Sequence, residues 1–116
     1  MLKSQRLRRS RDITAVLREG RRWSNGLLVL GIRTNDLGVN RYGFSVGKRV
    51  GKAVSRNLVK RRMRNTVREM STNQGWDIVI IARQNASNAP YRVLRLALQD
   101  LLRSAGLLDT KALAAG

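Results

Sequence analysis

The 116-residue sequence contains no cysteine and no histidine. Without cysteine the chain can form neither a disulfide framework nor a thiolate metal site. Without histidine it lacks the side chain that most often serves as a general base or a metal ligand. Acidic residues are also scarce, seven against 24 lysines and arginines, and the formal net charge is +17. An excess of this size is typical of a protein that binds a polyanion, because each neutralised phosphate releases condensed counterions.

Long hydrophobic runs are absent as well. No apolar run approaches the ~18 residues of a membrane-spanning helix, and the basic N-terminus lacks the apolar centre of a secretory signal. We therefore expect a cytoplasmic protein with no membrane segment. Hydrophobic residues make up 42% of the chain, enough for one modest core. We assign a single domain to residues 1–108 and a disordered tail to residues 109–116, with the chain already loose from Leu107 onward because caps and apolar periodicity end there.

The few acids do not form a catalytic cluster. A nuclease that works by protein side chains alone needs grouped metal-holding carboxylates or a histidine base. Here no two acids stand at a ligand spacing, and Glu69 and Asp77 are separated by an expected helix end. The Gly-Lys pairs at Gly47 and Gly51 also lack the GxxxxGK[ST] pattern of a phosphate-binding loop. We therefore expect no catalytic residue and no metal site in the protein. The acids are Asp12, Glu19, Asp36, Glu69, Asp77, Asp100 and Asp109.

The most informative stretch, residues 47–68, reads GKRVGKAVSRNLVKRRMRNTVR. It holds nine of the cations, and no acid occurs between Asp36 and Glu69. After Gly51 the pattern predicts a helix from about Ala53 to Met70. One face of this helix is apolar and the opposite face is cationic. The apolar stripe is Val59, Met63, Thr66, Val67 and Met70, and the opposite face carries Asn57, Lys60, Arg61, Arg64 and Arg68.

The rest of the chain predicts a small sheet with two more helices. Ser10 is the expected cap of a helix that ends near Glu19 before Gly20, and Asn25-Gly26 predicts a tight turn. Strands are expected at about residues 21–25, 27–33, 41–48 and 77–83, and a last helix runs from Pro90 to Gly106. In the third strand Tyr42, Phe44 and Val46 should pack on the basic helix, while Gly43, Ser45 and Gly47 leave backbone open to a ligand. This order of elements favours a single α+β sandwich.

A cationic row without interleaved glutamate repels itself when free, so it indicates a negatively charged partner. RNA is the favoured partner. A second hypothesis, from another functional class, is a structural ribosomal protein or an RNA chaperone. A reader of double-stranded DNA is a third hypothesis. Its recognition helix would offer varied polar contacts to bases, whereas here Asn57 is the one obvious base reader among phosphate ligands.

The run SVGKRVGKAVSRNLVKRRMRN resembles the signature of the bacterial ribonuclease P protein family. The opening QRLRRSRDITAVLREG is similar to the first helix of that family, and DIVIIAR is similar to its last strand. The order of elements agrees from Leu7 to about Leu108. The resemblance implies a sandwich of the ribosomal S5 domain 2-like kind, with a left-handed crossover around the basic helix, although the general rule for parallel strands gives the opposite hand.

The resemblance also implies a function. The protein would be the RNA-binding cofactor of the ribonucleoprotein endonuclease that removes the 5′ leader from precursor tRNA. It would bind the catalytic RNA and the leader, while that RNA performs the hydrolysis with Mg²⁺ held mainly by RNA and substrate. Positions carried over as contacts to the catalytic RNA are Lys48, Arg49, Lys52, Arg56, Asn57, Lys60, Arg61, Arg62, Arg64 and Arg68.

The chain departs from the family signature at two places. Leu58 stands where the Arg-Asn-Arg signature has its second arginine, and Arg62, one turn later, is the expected substitute. The leader cleft of the family is often lined by aromatic side chains, but the matching residues here are not aromatic. The cleft residues implied by the resemblance are Ile13, Leu17, Gly31, Ser45, Lys48 and Arg83. A basic residue commonly follows the position of Arg83, and this chain has Gln84 there.

Overall fold

The computed structural model describes residues 6, 7 and 9–108. Three α-helices and four strands follow one another in the order that the sequence predicts. They are α1 (Ser10–Glu19), β1 (Arg21–Ser24), β2 (Leu28–Thr34), β3 (Arg41–Val46), α2 (Ala53–Glu69), β4 (Trp76–Ala82) and α3 (Tyr91–Ser104). Two short 3-10 turns, Lys48–Val50 and Gln84–Asn88, follow β3 and β4. No helix in this described part is both long enough and apolar enough to cross a bilayer.

The four strands form one mixed sheet in the order β1-β2-β4-β3. Strand β2 is antiparallel to both β1 and β4, whereas β3 and β4 are parallel neighbours connected through α2. This is the connection for which the family resemblance implies a left-handed crossover. Because β3 and β4 are parallel, their C-terminal ends lie at the same edge of the sheet, and the two 3-10 turns begin there.

The main core lies between one face of the sheet and the two helices α2 and α3. The predicted apolar stripe of α2 is confirmed, since Val59, Met63, Thr66 and Val67 are buried and Met70 is half-buried. Continuous apolar strands β2 and β4 supply the other side of the core, as their sequences predict. Its fully buried larger side chains include Leu28, Leu30, Met63, Ile78, Ile80, Leu94, Leu98 and Leu102.

Helix α1 covers the opposite face of the sheet through a smaller core of Leu7, Val16 and Val79. Gly20 ends this helix where the sequence places the end. A Cβ atom at Gly20 would overlap the backbone carbonyl oxygens of Ile32 and Val16. Glycine is therefore required by the close approach of the helix end to β2.

Two predicted caps differ by one residue from the structure. Arg9 rather than Ser10 is the N-cap of α1, and no side chain hydrogen-bonds to that helix end. Pro90 is the N-cap of α3 rather than its first residue. The C-terminal stop is confirmed. Gly106 has φ of +74°, its N–H donates to the carbonyl of Arg103, and the next N–H donates to that of Leu102, which is the hydrogen-bond pattern of a Schellman motif.

The expectation of a loose chain from Leu107 onward is wrong for its first two residues. Leu107 and Leu108 are 1% and 6% exposed, and both belong to the main core. The carbonyl of Leu107 accepts a 2.7 Å hydrogen bond from the N–H of Asn73, and Leu108 forms a β-bridge with Thr72. The sequence did not reveal this pairing because its partner lies more than thirty residues away. Residues 109–116, the expected tail, lie outside the described residues.

Two buried polar side chains fix the loops at the far end of the sheet. The amide of Asn40, 1% exposed, donates to Tyr42 Oη, Thr72 Oγ1 and the carbonyl of Asn73, and its oxygen accepts from the N–H of Trp76. Asp77 accepts two hydrogen bonds from the Arg41 guanidinium, at 2.8 and 2.7 Å. These contacts close the end of the sheet that is opposite to the two 3-10 turns.

Candidate nucleic-acid interface

The outer face of α2 is a cationic surface without acidic partners. Within the described part of the chain, no lysine or arginine of α2 lies within 4.0 Å of a carboxylate oxygen. The helix has one acid, Glu69 at its last residue, and that carboxylate pairs with Arg95 of α3 at 3.5 Å. Because its apolar stripe is fixed in the core, α2 holds its cations on the surface in a defined order. Arg61, Arg68 and Asn57 are exposed, and Arg56, Lys60 and Arg64 are half-buried.

Arg62 lies on a different side of α2 from Arg64. Its Nη1 atom donates to the carbonyl of Ala89 at 3.3 Å, just before α3. Arg62 therefore stands one turn after Leu58, as the sequence predicts, but part of its guanidinium holds the segment leading into α3. That bond uses one of the five N–H donors of the Arg62 guanidinium.

Lys60 and Arg64 border a pocket of about 150 Å³ between α2, β3 and the N-terminal segment. The guanidinium carbon of Arg64 lies 5.8 Å from the centre of the Phe44 ring, a cation–π contact. Arg6 lines the same pocket, so three cationic side chains converge there with no carboxylate among the lining residues. The full lining is Arg6, Leu7, Tyr42, Phe44, Lys60 and Arg64.

The electrostatics of this pocket favour an anion. Burial lowers the pKa of Arg64, and the charges of Arg6 and Arg68 lower it further. Arginine nevertheless remains protonated, so Arg64 and its cationic neighbours Arg6 and Arg68 repel one another in the free protein. The Nε atoms of Arg6, Arg56 and Arg64 are buried and have no hydrogen-bond partner among the described residues. An approaching phosphate would supply both the missing acceptor and the opposite charge.

A second group of cations lies on the turn between β3 and α2. Lys48 and Arg49 are exposed on the first 3-10 turn, and the buried side chain of Val50 anchors that turn. Lys52 is the N-cap of α2, whose end has no side-chain cap. The unsatisfied N–H groups of this helix end add to the positive potential of the turn. The structure thus brings Lys48, Arg49 and Lys52 next to the α2 surface.

The cleft residues occupy two different environments. Gly31 and Gly43 pair with Val79 from either side, and both are buried beneath α1. A Cβ at Gly31 would lie 3.1 Å from Leu17 Cδ2, and one at Gly43 would lie 3.2 Å from Leu7 Cβ. The missing side chain of Gly31 therefore allows α1 to pack closely on β2, and Gly31 is not an open cleft position. The expectation that Gly43 leaves its backbone accessible is also wrong, because Leu7 covers it.

The open part of this sheet face is the next row of residues. Val29, Ile81 and Ser45 pair across three strands, and all three are half-buried. Ile13 and Leu17 pack at the edge of α1 against the small core. Lys48 and Arg83 are exposed at the edge where β3 and β4 end. The row Val29, Ile81 and Ser45 forms an open floor on this sheet face. Lys48 and Arg83 lie at the end of the floor where β3 and β4 end, and Ile13 and Leu17 lie beside it on α1.

Several residues of these surfaces were not singled out by the sequence. Arg6 and Leu7 looked like part of a basic lead-in, yet the N–H of Leu7 donates to the carbonyl of Tyr42 at 2.8 Å beside β3. Val29 and Ile81 looked like ordinary core residues of apolar strands. The one available signal was the alternation of β2 and β4, which places both side chains on the face opposite the main core.

The carboxylates are scattered through the structure. Within the described residues, no three acidic side chains lie close enough together to hold a metal ion. Four of the acids, Glu19, Asp77, Glu69 and Asp100, form ion pairs with arginines.

The fold and this surface define a small α+β protein with a carboxylate-poor cationic face, the kind of face that binds nucleic-acid backbones. The family model described as Ribonuclease P matches residues 1–106. The chain belongs to the bacterial ribonuclease P protein family, whose members are the protein components of a tRNA-processing ribonucleoprotein endonuclease and partner its RNA.

Individual relatives agree with this assignment over nearly the whole chain. The ribonuclease P protein component of Clostridium botulinum (strain Loch Maree / Type A3) is 39% identical over 111 residues, covering 93% of this chain and 100% of the relative. That of Roseiflexus castenholzii is 39% identical over 112 residues, covering 94% and 92%.

Solved structures show the same fold. The ribonuclease P protein of Staphylococcus aureus at 2.0 Å superposes with a TM-score of 0.84 at 28% identity, covering 92% of this chain and 100% of that one. The protein from Thermotoga maritima gives a TM-score of 0.76 at 32% identity, covering 85% and 96%. The predicted α+β fold class is thereby confirmed.

Proposed function

We propose that this protein docks on the catalytic RNA of ribonuclease P through the outer face of α2 and the adjoining turn, and that it holds the 5′ leader of precursor tRNA on the open sheet face. The docking surface comprises Lys48, Arg49, Lys52, Arg56, Asn57, Lys60, Arg61, Arg62, Arg64 and Arg68. Arg6 joins this surface through the pocket that it shares with Lys60 and Arg64.

The observation that carries the docking proposal is the set of cations without partners. A solvated charged helix face normally mixes lysine and arginine with glutamate, and its ion pairs lower the repulsion. Here the α2 cations have no carboxylate partner among the described residues, and three buried guanidinium Nε atoms lack an acceptor. Phosphate groups on a folded RNA provide bidentate acceptors for such side chains.

The leader proposal rests on the shape of the opposite sheet face. A single strand crossing Val29, Ile81 and Ser45 would meet apolar side chains and a hydroxyl, with Lys48 and Arg83 at the end of its path. Phe44, the one phenylalanine, lies on the other face beside Arg64. Leader binding therefore depends on apolar contact and on the two cations. Base stacking, worth about 1–3 kcal/mol per base on aromatic platforms, does not contribute on this floor.

Phosphodiester hydrolysis belongs to the RNA in this proposal. The bound RNA and substrate would hold Mg²⁺, which would supply an activated water and charge stabilisation for the leaving oxygen. The protein side chains position the two RNA molecules and screen the repulsion between them. A cation-rich protein thereby reduces the Mg²⁺ concentration that assembly requires.

Reconstitution tests the proposal directly. The protein is combined with ribonuclease P RNA, and cleavage of precursor tRNA is measured across a Mg²⁺ titration with and without the protein. We expect faster cleavage and tighter precursor binding at low Mg²⁺, together with a preference for precursor over mature tRNA in competition. No gain in rate or affinity would refute the proposal. Equal binding to many structured RNAs without preference for the leader would instead support an RNA chaperone.

A further inference from the structure

Arg6 and Leu7 lie along the outer margin of β3, and we call this pair of residues the N-terminal strap. Arg6 forms a parallel bridge with Tyr42, and the N–H of Leu7 donates to the Tyr42 carbonyl at 2.8 Å. Successive residues of an extended segment point to opposite faces of a sheet. The two side chains of the strap therefore reach two different faces of the protein.

The side chain of Arg6 lies on the α2 side of β3. It lines the pocket of about 150 Å³ together with Phe44, Lys60 and Arg64. Its Nε atom is buried without a hydrogen-bond partner among the described residues. Burial and then the charge of Arg6 lower the pKa of Arg64. Arg6 is thus a half-buried cation beside two others, without the acceptor that would stabilise it there.

The side chain of Leu7 lies on the α1 side and is 5% exposed. With Val16 and Val79 it forms the smaller core that holds α1 on the sheet. A Cβ at Gly43 would lie 3.2 Å from Leu7 Cβ and 3.4 Å from Ile13 Cγ1. Leu7 and the first turns of α1 therefore cover the same glycine of β3.

The open floor of the sheet is supported by this smaller core. Ile13, Leu17 and Ile81 are half-buried and pack against it, and the same three residues form or border the floor. Leu7 is one of three buried members of this core among the described residues. Displacing it would leave a cavity under α1 and loosen the packing beneath the floor. The position of the strap therefore affects the surface assigned to the leader.

Two opposing forces act on the strap in the free protein. Burial of Leu7 favours its seated position on β3, whereas Lys60 and Arg64 repel Arg6 there. A phosphate in the pocket would reverse the second force, because it attracts all three cations and gives Arg6 an acceptor. It meets three cations when the strap is seated and two when the strap is displaced. This difference in affinity shifts the equilibrium toward the seated state.

We infer that the strap couples the two RNA-binding faces of the protein. A backbone phosphate of the catalytic RNA, bound by Arg6, Lys60 and Arg64, seats the strap, and seated Leu7 strengthens the hold of the opposite sheet face on the 5′ leader. This inference rests on the proposed function and adds a link between its two parts. Because such coupling is reciprocal, leader binding strengthens docking on the catalytic RNA by the same factor.

The test must separate this coupling from a plain docking contact, since both predict that Arg6→Ala weakens binding to ribonuclease P RNA. Each protein is therefore added to that RNA at a concentration that saturates it, as established by titration. Kd is then measured for precursor tRNA and for mature tRNA, and the ratio of the mature to the precursor value reports the contribution of the leader. Arg6→Ala should lower this ratio by about fivefold or more, the lower end of typical couplings, although Arg6 lies on the α2 side.

Three further variants sharpen the result. Arg11→Ala removes the same charge from an exposed position of α1 and should keep the wild-type ratio. Leu7→Ala should lower the ratio as Arg6→Ala does. The double variant should lower it no further than Leu7→Ala alone, because Arg6 acts through Leu7. Thermal melting establishes folding, and Leu7→Val, which removes less of the side chain, replaces Leu7→Ala if the latter does not fold.

Hydrogen exchange in α1 gives a readout that does not involve the leader. Adding ribonuclease P RNA without any tRNA should slow the exchange of the α1 amides in wild type, because seated Leu7 holds this helix on the sheet. The slowing should be lost in RNA-saturated Arg6→Ala.

Three results would overturn the inference while the proposed function stands. They are a wild-type ratio in folded, RNA-saturated Arg6→Ala, equal slowing of α1 exchange in both proteins, and losses that add in the double variant. A different result tests the proposed function itself. If wild type bound precursor and mature tRNA equally, the protein would have no hold on the leader and that part of the proposed function would fail.

Discussion

Replacing Arg61 and Arg64 together by alanine should weaken the docking of the protein on its RNA without unfolding it. Arg61 is exposed, and Arg64 borders the cationic pocket beside Phe44. Removing Arg64 forfeits a cation–π contact of about 0.5–1 kcal/mol. It also relieves repulsion from Arg6 and Arg68, the neighbours that lower its pKa. The two effects oppose each other, so the melting temperature should change little.

The magnitude of the binding loss follows from counterion release. Each phosphate contact contributes about 0.7 to 0.9 to the slope of log affinity against log salt, the values for single strands and duplexes. If each arginine neutralises one phosphate, the double variant should flatten the slope by about 1.4–1.8. At 0.15 M salt this corresponds to a loss of about 15- to 30-fold in affinity, and the loss should disappear near 1 M salt.

The assay is binding of ribonuclease P RNA at several salt concentrations, with circular dichroism and thermal melting of each protein. A matched control is Arg92→Ala with Arg103→Ala, which removes the same charge from exposed positions of α3. The control should leave the slope close to that of wild type. A folded Arg61/Arg64 variant with the wild-type slope would refute the assignment of these arginines to phosphate contacts. Equal flattening by the control would show that net charge, rather than the α2 surface, determines affinity.

Three other substitutions test the fold that presents this surface. Met63→Asp should abolish folding, because it places an unpaired charge at a position that is 0% exposed; a native-like circular dichroism spectrum would contradict this. Asn40→Ala should cost about 1–3 kcal/mol in urea unfolding, because it leaves the N–H of Trp76 and other buried groups without a partner, and an unchanged midpoint would show that water replaces the amide. Burial opposes ionisation of Asp77, but the hydrogen bonds and charges around it, first those of Arg41, outweigh burial and lower its pKa. The ionised pair therefore stabilises the fold above about pH 4, the unperturbed pKa, and this contribution is lost as the pH falls through the lower folded pKa. Asp77→Asn should be less stable by about 1–3 kcal/mol at pH 7, with the difference narrowing in acid; a constant difference from pH 7 to pH 2 would refute the linkage.

Local sequence patterns were sufficient for the elements and for the cationic face. The apolar runs of β2 and β4 and the period of α2 are properties of neighbouring residues, and each element formed within two residues of its predicted bounds. The side on which the α2 cations lie follows from the same period, because the stripe through Val59 and Met63 fixes the rotation of the helix.

Contacts between distant segments could not be predicted in this way. Leu7 covers Gly43, and Leu107 pairs with Asn73, although nothing in the neighbouring residues indicates either contact. The family resemblance implied that Gly31 lines the leader cleft, and a glycine in a strand admits either a ligand or a closely packed helix. The choice between these two depended on where α1 crosses the sheet.

The N-terminal segment has a consequence for solubility. Strand β3 is at one margin of the sheet, and an unprotected margin invites strand addition by a neighbouring molecule and then aggregation. Arg6 forms a parallel bridge with Tyr42, and the N–H of Leu7 occupies the Tyr42 carbonyl. The other margin, β1, is four residues long and begins with two arginines. Both margins are therefore short or covered and carry arginine side chains, whose mutual repulsion opposes strand addition between free copies.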